Sequence, residues 1–466
     1  MQKNIKPLGV LSLILMNTVI VGSLQMLPFT AVYGYSLIFF YLIATITFFI
    51  PSLLATAELA TSWPMTGGPY IWVEHAFGKT IGFFTICILW FCNLIWYPTI
   101  FSLIATGFFY LIDPALANQK LAMFFAVTSI FWIMTLQNCF GIKVSSIVSN
   151  LCSVVGIILP TLLIISFAIF WVGSGKSSQI HLNKASLLPD FKHLGNIAFL
   201  TQVIISLCGI EASGVHAGDV LSPRRNYPRA LFFSGFIILF VLIGTALGIA
   251  LVIPSQDISL VSGLLDAIRI FANTFHLSWL LFILLLLITL GNFGCASSWM
   301  ISSTRGMSIA CQDEKRHPFL QKTNRYGAPV GILFVEAIVF TIATFAFWLM
   351  PSISASYWLL IETASLVSLV YYIILFSALV KLRYKHVKGA QGFLIPGGKL
   401  GVWVVSLLGG GTALLGIVVG FFPPEQAGVG SAFAYVVSLS VGMIIAFSVP
   451  FVILLIGKGA SKNRKK

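Results

Sequence analysis

Long apolar runs divide the chain, and short polar or charged breaks separate them. Counted by those breaks, the runs cover 10–33, 36–61, 80–111, 120–139, 145–173, 195–217, 230–254, 277–305, 329–350, 355–381, 400–422 and 430–457. The run from Leu231 to Ile253 is typical, and none shows the two-residue alternation of a lipid-facing strand. About 20 residues rising 1.5 Å each cross the hydrocarbon core of a bilayer, so the pattern predicts about twelve transmembrane helices. Helices also satisfy their own backbone hydrogen bonds, which lipid cannot do for them. The expected fold is therefore all-α and polytopic. No Pro/Gly/Ser-rich linker divides it, so 10–457 reads as one membrane-embedded unit between a short tail, 1–9, and a basic tail, 458–466.

Two of the runs are interrupted from within, and at matching places. The first contains Thr18, Gly22, Ser23, Gln25 and Pro28; the sixth contains Cys208, Gly209, Ile210, Glu211, Ala212, Ser213 and Gly214, followed by His216. A break in helix 1 and another in helix 6 is what a five-plus-five inverted repeat predicts, with 10–173 as the first repeat, 195–381 as the second and 400–457 added as helices 11 and 12. Unwound backbone in such a fold lines a cavity near the bilayer midplane. Half-helix N-termini there offer N–H groups to a carboxylate, and free carbonyls receive an ammonium. A zwitterionic amino acid suits both ends. Gly22 and Gly209 also suit close helix packing, which the matched placement makes the weaker explanation.

Composition agrees with lipid as the main solvent. Of 466 residues, 58% are hydrophobic and 9% charged, against roughly 25% charged in a soluble domain. The charge that is present is basic, at a formal +14. Only Lys120, Lys176, Lys184, Lys192 and Arg269 fall on one set of alternate connections, and the rest of the 27 Lys and Arg residues fall on the other set or at the ends. Basic residues stay cytoplasmic, so both termini and 222–229 are expected inside, with an even helix count. No nucleic-acid partner is expected, because the charges are spread over short loops without interleaved aromatics. The last residues, Lys462 to Lys466, face either lipid head groups or solvent. The first run extends too far for a cleaved signal and reads as a retained helix.

Candidate chemistry is sparse. The seven cysteines show no C-x-x-C spacing and read as packing residues. The seven histidines occur singly, without H-x-x-x-H or H-E-x-x-H. No cofactor or metal is expected, and a multi-spanning enzyme that modifies lipids lacks its cluster of nucleophile, base or metal. No P-loop is present for direct ATP coupling. A channel is the third class; steady uncoupled current would separate it from a carrier. Glu211 is the sharpest single residue, since an ionised carboxylate at this depth costs several kcal/mol unless paired, hydrated or protonated. With His216, Trp96 and Tyr97 it makes the candidate set for proton coupling or gating. Glu58, which reads as interfacial, and Glu336 and Glu362, with no break beside them, are weaker. Trp96 and Tyr97 before Pro98, and Trp299 on a segment with Asn292, Ser297, Ser298, Ser302 and Ser303, are aromatics where a solute could meet them.

At these residues the chain resembles a known family. Gly209-Ile210-Glu211-Ala212-Ser213 followed by Ser222-Pro223-Arg224-Arg225-Asn226-Tyr227-Pro228-Arg229-Ala230, with Ser303-Thr304-Arg305-Gly306-Met307, is similar to signatures of the amino acid/polyamine/organocation superfamily. Gly67-Gly68 with Trp72-Val73, and Ile395-Pro396-Gly397-Gly398-Lys399, resemble its bacterial glutamate/gamma-aminobutyrate antiporter branch. The resemblance implies a five-plus-five transporter working by alternating access, in a bacterial inner membrane, with its solute cavity between helices 1, 3, 6, 8 and 10. It maps the solute-facing backbone onto Val21, Gly22, Ser23, Cys208, Gly209 and Ile210, and an aromatic gate onto Trp299; Gln25 joins them from the break itself. The expected partners are an amino acid or its decarboxylated amine, a proton or exchanged amine, and lipid. Oligomeric state stays open between monomer and homodimer. The branch pattern departs here at Val21-Gly22-Ser23, at Met26, where that branch is acidic, and in the expected lack of a C-terminal plug after Lys466.

Overall fold

The computed structural model describes residues 9–65, 67–141, 151, 154–180, 184–189, 197, 199–313, 318–349, 352–385, 392–424 and 431–463. Among these, eleven helices are long and apolar enough to cross a membrane, and Phe199–Val215 is a shorter apolar one. In chain order they are α1 (Val10–Ala31), α2 (Gly34–Ser62), α3 (Lys79–Ile112), α4 (Lys120–Asn138), α5 (Val154–Gly173), α6 (Phe199–Val215) and α7 (Pro223–Val252). Then follow α8 (Ser278–Asp313), α9 (Val330–Leu349), α10 (Ile353–Tyr384), α11 (Gly398–Gly420) and α12 (Ala432–Asn463). The expected starts of helix 5 at 145, helix 6 at 195 and helix 12 at 430 lie outside the described residues, as does Cys152.

Both expected breaks are present, and each has a local cause. α1 is helical over Val10–Val21, leaves the helix at Gly22 and Ser23, and resumes through a single 3-10 turn, Leu24–Met26, into Leu27–Ala31. Pro28 has no N–H to offer the Leu24 carbonyl, so an α-helical bond there is impossible and the tighter turn takes its place. α6 is α-helical over Phe199–Ser206, and Gly209 then takes φ +106°, a left-handed conformation that favours glycine. From Ile210 to Asp219 the chain continues as 3-10 helix.

The packing repeats itself. α1 packs on α7 as α6 packs on α2, and α3 packs on α10 as α8 packs on α5. Three further pairs, α2 with α7, α3 with α8 and α4 with α9, each join equivalent members of the two sets. These are the contacts of a five-plus-five repeat, in which α1–α5 and α6–α10 are equivalent halves. At Gly156 and Gly291 the backbones of α5 and α8 meet with no side chain between them. α11 packs against α10 and α6, α12 against α3 and α10, and α12 is the least buried span. Outward faces carry large apolar side chains, among them Phe232, Phe233, Phe236 and Phe240 of α7, as lipid contact requires.

Two boundaries differ most from the expected ones. α7 starts at Pro223 rather than 230, so the basic stretch after Ser222 is helix; proline at its first turn loses no bond there. α8 continues to Asp313 rather than 305, which puts Arg305-Gly306-Met307 inside a helix. Two connections that read as loops carry short helices, Pro69–Phe77 and Gly263–Thr274.

Candidate functional site

The two breaks face one another across a cavity of about 70 Å³. At roughly 10 to 15 Å³ of such space per water, it holds on the order of five waters, the bulk of a small amino acid. From α1 come Ile20, Val21, Ser23 and Met26; from α6, Ile205, Ser206 and Cys208. The opposite wall is Cys92, Asn93 and Trp96 of α3, Trp299 of α8, and Ala364, Ser365 and Ser368 of α10. No charged side chain is among these lining residues. Aliphatic side chains, sulfur and indole make most of the wall, with Asn93 and a few serine hydroxyls among them, so a solute's charges would be met by backbone ends and those polar groups.

The scaffold helices hold the break in α1 open. Cys295 Sγ donates to the Val19 carbonyl at 3.4 Å, and Trp299 Nε1 donates to the Ile20 carbonyl at 3.2 Å. Carbonyls that the broken helix leaves without partners are thereby satisfied from α8. The Trp299 ring lies 5.8 Å from that of Trp96, and the two indoles bound one side of the cavity. Gly209 allows this, since a Cβ there would stand 2.8 Å from Trp299 Cζ2. Across the cavity, Cys92 Sγ lies 3.1 Å from the Ala364 carbonyl and 3.0 Å from Ser368 Oγ, so this cysteine joins α3 to α10 and lines the site. Ser206 Oγ donates to Val203 O at 2.7 Å and is 3.0 Å from the Tyr41 hydroxyl of α2.

Glu211 is tied to α10. The Tyr372 hydroxyl donates to Glu211 Oε2 at 2.5 Å, and the Gly209 N–H donates to the same Tyr372 oxygen at 2.7 Å. One phenol thus binds both the backbone of the break and its carboxylate. Glu211 also borders a second, smaller cavity of about 40 Å³ with Asn93, Trp299 and Ser303.

Of the residues expected at the site, Val21, Ser23, Cys208, Trp96 and Trp299 line the cavity between the breaks. Gly22, Gly209 and Ile210 shape it from the breaks without lining it. Gln25 is buried away from it, with no hydrogen-bond partner for its amide. Tyr97 faces α8 and α4 instead, with its hydroxyl 3.3 Å from Ser303 Oγ and its ring 5.6 Å from Phe131. His216 lies in the 3-10 stretch, and its side chain is outside the described residues. Glu58, near the end of α2, is buried, pairs with Arg383 Nη1 at 2.8 Å, and accepts the Ile395 N–H at 2.8 Å. Its partner Arg383 lies 325 residues away in sequence, so the pair was not legible there. Sequence reasoning also missed Asn93, Ser206, Ser365, Ser368 and Tyr372. The last three stand on one face of α10 at spacings of three and four, a polar stripe that could have been read in an otherwise apolar helix.

An amino acid permease model matches residues 8–448. An uncharacterized transporter of Legionella pneumophila subsp. pneumophila is 39% identical over 97% of both chains. A glutamate/gamma-aminobutyrate antiporter of Lactococcus lactis subsp. lactis is 28% identical over 90% of this chain and 84% of its own. The protein of the same organism named "Probable agmatine/putrescine antiporter AguD" is 24% identical over 79% of this chain and 78% of its own. These similarities describe membrane transporters rather than enzymes, and they run through both halves of the repeat and both breaks. A match over nearly the whole length, on a polytopic fold with paired broken helices, places the chain in the amino acid permease family of the amino acid/polyamine/organocation superfamily.

Proposed function

We propose that the chain is a secondary carrier of a bacterial inner membrane, with both termini cytoplasmic, that exchanges an amino acid for another amino acid or its decarboxylated amine by alternating access. The observation that carries this reading is the cavity between the two breaks: amino-acid-sized, walled mainly by apolar side chains with a few hydroxyls and one amide among them, and lined by no charged side chain. In that setting a zwitterion's carboxylate and ammonium are met by the N–H and carbonyl ends of the broken helices. A second carboxylate, as in glutamate, would find no cation, so the reading favours solutes without a charged side chain. The Lactococcus lactis relatives named as antiporters, one of glutamate and its decarboxylated product gamma-aminobutyrate and one, as probable, of two amines, support exchange as the mode.

In the cycle, α1 and α6 pivot at their breaks while α3 and α8 stay fixed. Trp299 and Trp96 close over the solute, and the bond from Tyr372 to Glu211 gates one exit. The test is purified protein in liposomes loaded with a panel of amino acids and amines, scored by counterflow of each labelled solute. We expect saturable exchange of neutral amino acids, with the amide and the N-acetyl form of the same solute competing poorly. Equal competition by all three would refute recognition of both charges, and steady uncoupled current would make the protein a channel.

A further inference from the structure

We propose that Glu362 carries a coupled proton through the transport cycle, and that Gln202 and Ser365 report its state to the solute cavity. This rests on the secondary-carrier reading and adds the coupling ion and its site.

Glu362 stands on α10 and has no exposed surface. Its Oε2 accepts from Gln202 Nε2 of α6 at 2.6 Å, while Oε1 has no hydrogen-bond partner. The neighbours leave it space rather than charge: a Cβ on Gly420 of α11 would strike Oε1. From the elements packed around it, the titratable group that faces it is Tyr435 of α12, whose hydroxyl donates to the Gly420 carbonyl at 2.9 Å; no cation pairs with it among the described residues. α6 presents only Gln202 and Thr201, the latter bound to the Gly416 carbonyl at 3.0 Å. An ionised carboxylate sealed this way lacks both water and counter-charge, so the acid is the form this packing holds.

The partner can serve both forms. The second atom of the Gln202 amide, Oε1, is also buried without a partner. An amide has two donors at one end and an acceptor at the other, and the two orientations occupy the same space. With Nε2 toward Glu362 it donates to a carboxylate; turned over, it accepts from the acid. The same amide nitrogen lies 3.4 Å from Ser365 Oγ, which itself donates to the Ile361 carbonyl at 2.7 Å and lines the solute cavity. Turning the amide makes it an acceptor toward that hydroxyl, so the proton on Glu362 sets which way a cavity group points. Movement of α6 against α10 during exchange parts Gln202 from Glu362 and opens the carboxyl to cavity water. The chemistry is one O–H bond made from a proton on one side and broken to release it on the other.

The experiment uses full-length protein in liposomes, with labelled solute outside, a trapped pH dye, and an acid-outside gradient. Wild type should accumulate solute above equilibrium and acidify the lumen with it. Glu362→Gln should keep counterflow close to wild type but lose both gradient-driven accumulation and the dye signal. Gln202→Met, which fills the space without donating or accepting, should lose gradient-driven accumulation while retaining counterflow. Counterflow in wild type without proton entry would overturn this inference and leave the carrier reading intact. No counterflow of any solute would remove the carrier reading. Gradient-driven accumulation persisting in either variant would also overturn the inference, and the two are independent should one fail to fold.

Discussion

A methyl group at position 209 would meet both a forbidden backbone and an indole. Gly209 holds φ +106°, and its Cβ site lies 2.8 Å from Trp299. Gly209→Ala is therefore expected to cost about 1 to 3 kcal/mol of stability. It should also push Trp299 off the Ile20 carbonyl, so transport should fall further than the loss of folded protein explains; uptake normalised to correctly folded protein measures the difference. Glu211→Gln keeps the shape of the carboxyl that the Tyr372 hydroxyl binds and removes its capacity to ionise. It should fold, exchange slowly, and still couple whatever flux remains to a pH gradient, since the coupled proton is assigned elsewhere. A wild-type rate would reduce Glu211 to a cap on the broken helix. Glu211 was legible in the sequence because a carboxylate inside an apolar run is costly. Tyr372 was not, because with 14% of residues aromatic no single tyrosine stands out. Glu362 was seen and set aside for want of a nearby break, yet its partner Gln202 sits on the half-helix that leads into one.

The elements reward reading for interruption rather than for hydrophobicity. Gly22 with Pro28, and Gly209, marked the two broken helices, because each breaks a backbone bond by a mechanism confined to its own turn. The latch at the ends of α2 and α10 was invisible by the same logic, since it is made by distant segments. Glu58 and Arg383 pair at 2.8 Å, Glu58 Oε2 and Thr61 Oγ1 accept the N–H groups of Ile395 and Phe393, and Lys385 donates to the His75 carbonyl at 2.9 Å. The stretch leading into α11 is thereby bound to α2, and to α10 through Arg383 Nη2, which donates to the Ile395 carbonyl at 3.3 Å, while the end of α10 is bound to Pro69–Phe77. Removing one member leaves a buried charge, a change that typically costs about 3 to 5 kcal/mol. Arg383→Gln should lower the thermal midpoint in detergent, and Glu58→Gln added to it should recover part of the loss. Additive losses in the double variant would show that the pair is not coupled.

For the molecule as a whole, apolar run lengths alone predicted twelve spans, and the matched breaks predicted how the halves pack. Boundaries were less legible where amphipathic chain extends a helix past the lipid, as at Pro223 and Asp313. The short helices Pro69–Phe77 and Gly263–Thr274 escaped because neither is long enough to announce a span. The distribution of basic residues predicts that a cysteine engineered at Arg229 is protected from impermeant reagent in intact cells, whereas one at Lys176 is labelled. The opposite pattern would invert the molecule in its membrane.

The absence of fixed charge around the solute cavity has an electrical consequence. In exchange the proton on Glu362 enters with one solute and returns with the other, and no charged wall moves with them, so the difference in charge between the two solutes is the net charge that crosses. Trading one zwitterion for another should then be electrically silent, its rate unmoved by a potassium diffusion potential. Trading a zwitterion for a cationic amine displaces one elementary charge, worth about 2.3 kcal/mol per 100 mV. An inside-negative potential should therefore draw the amine inward against the amino acid and slow the reverse exchange, so that voltage, applied to the same protein, tells the two kinds of cargo apart.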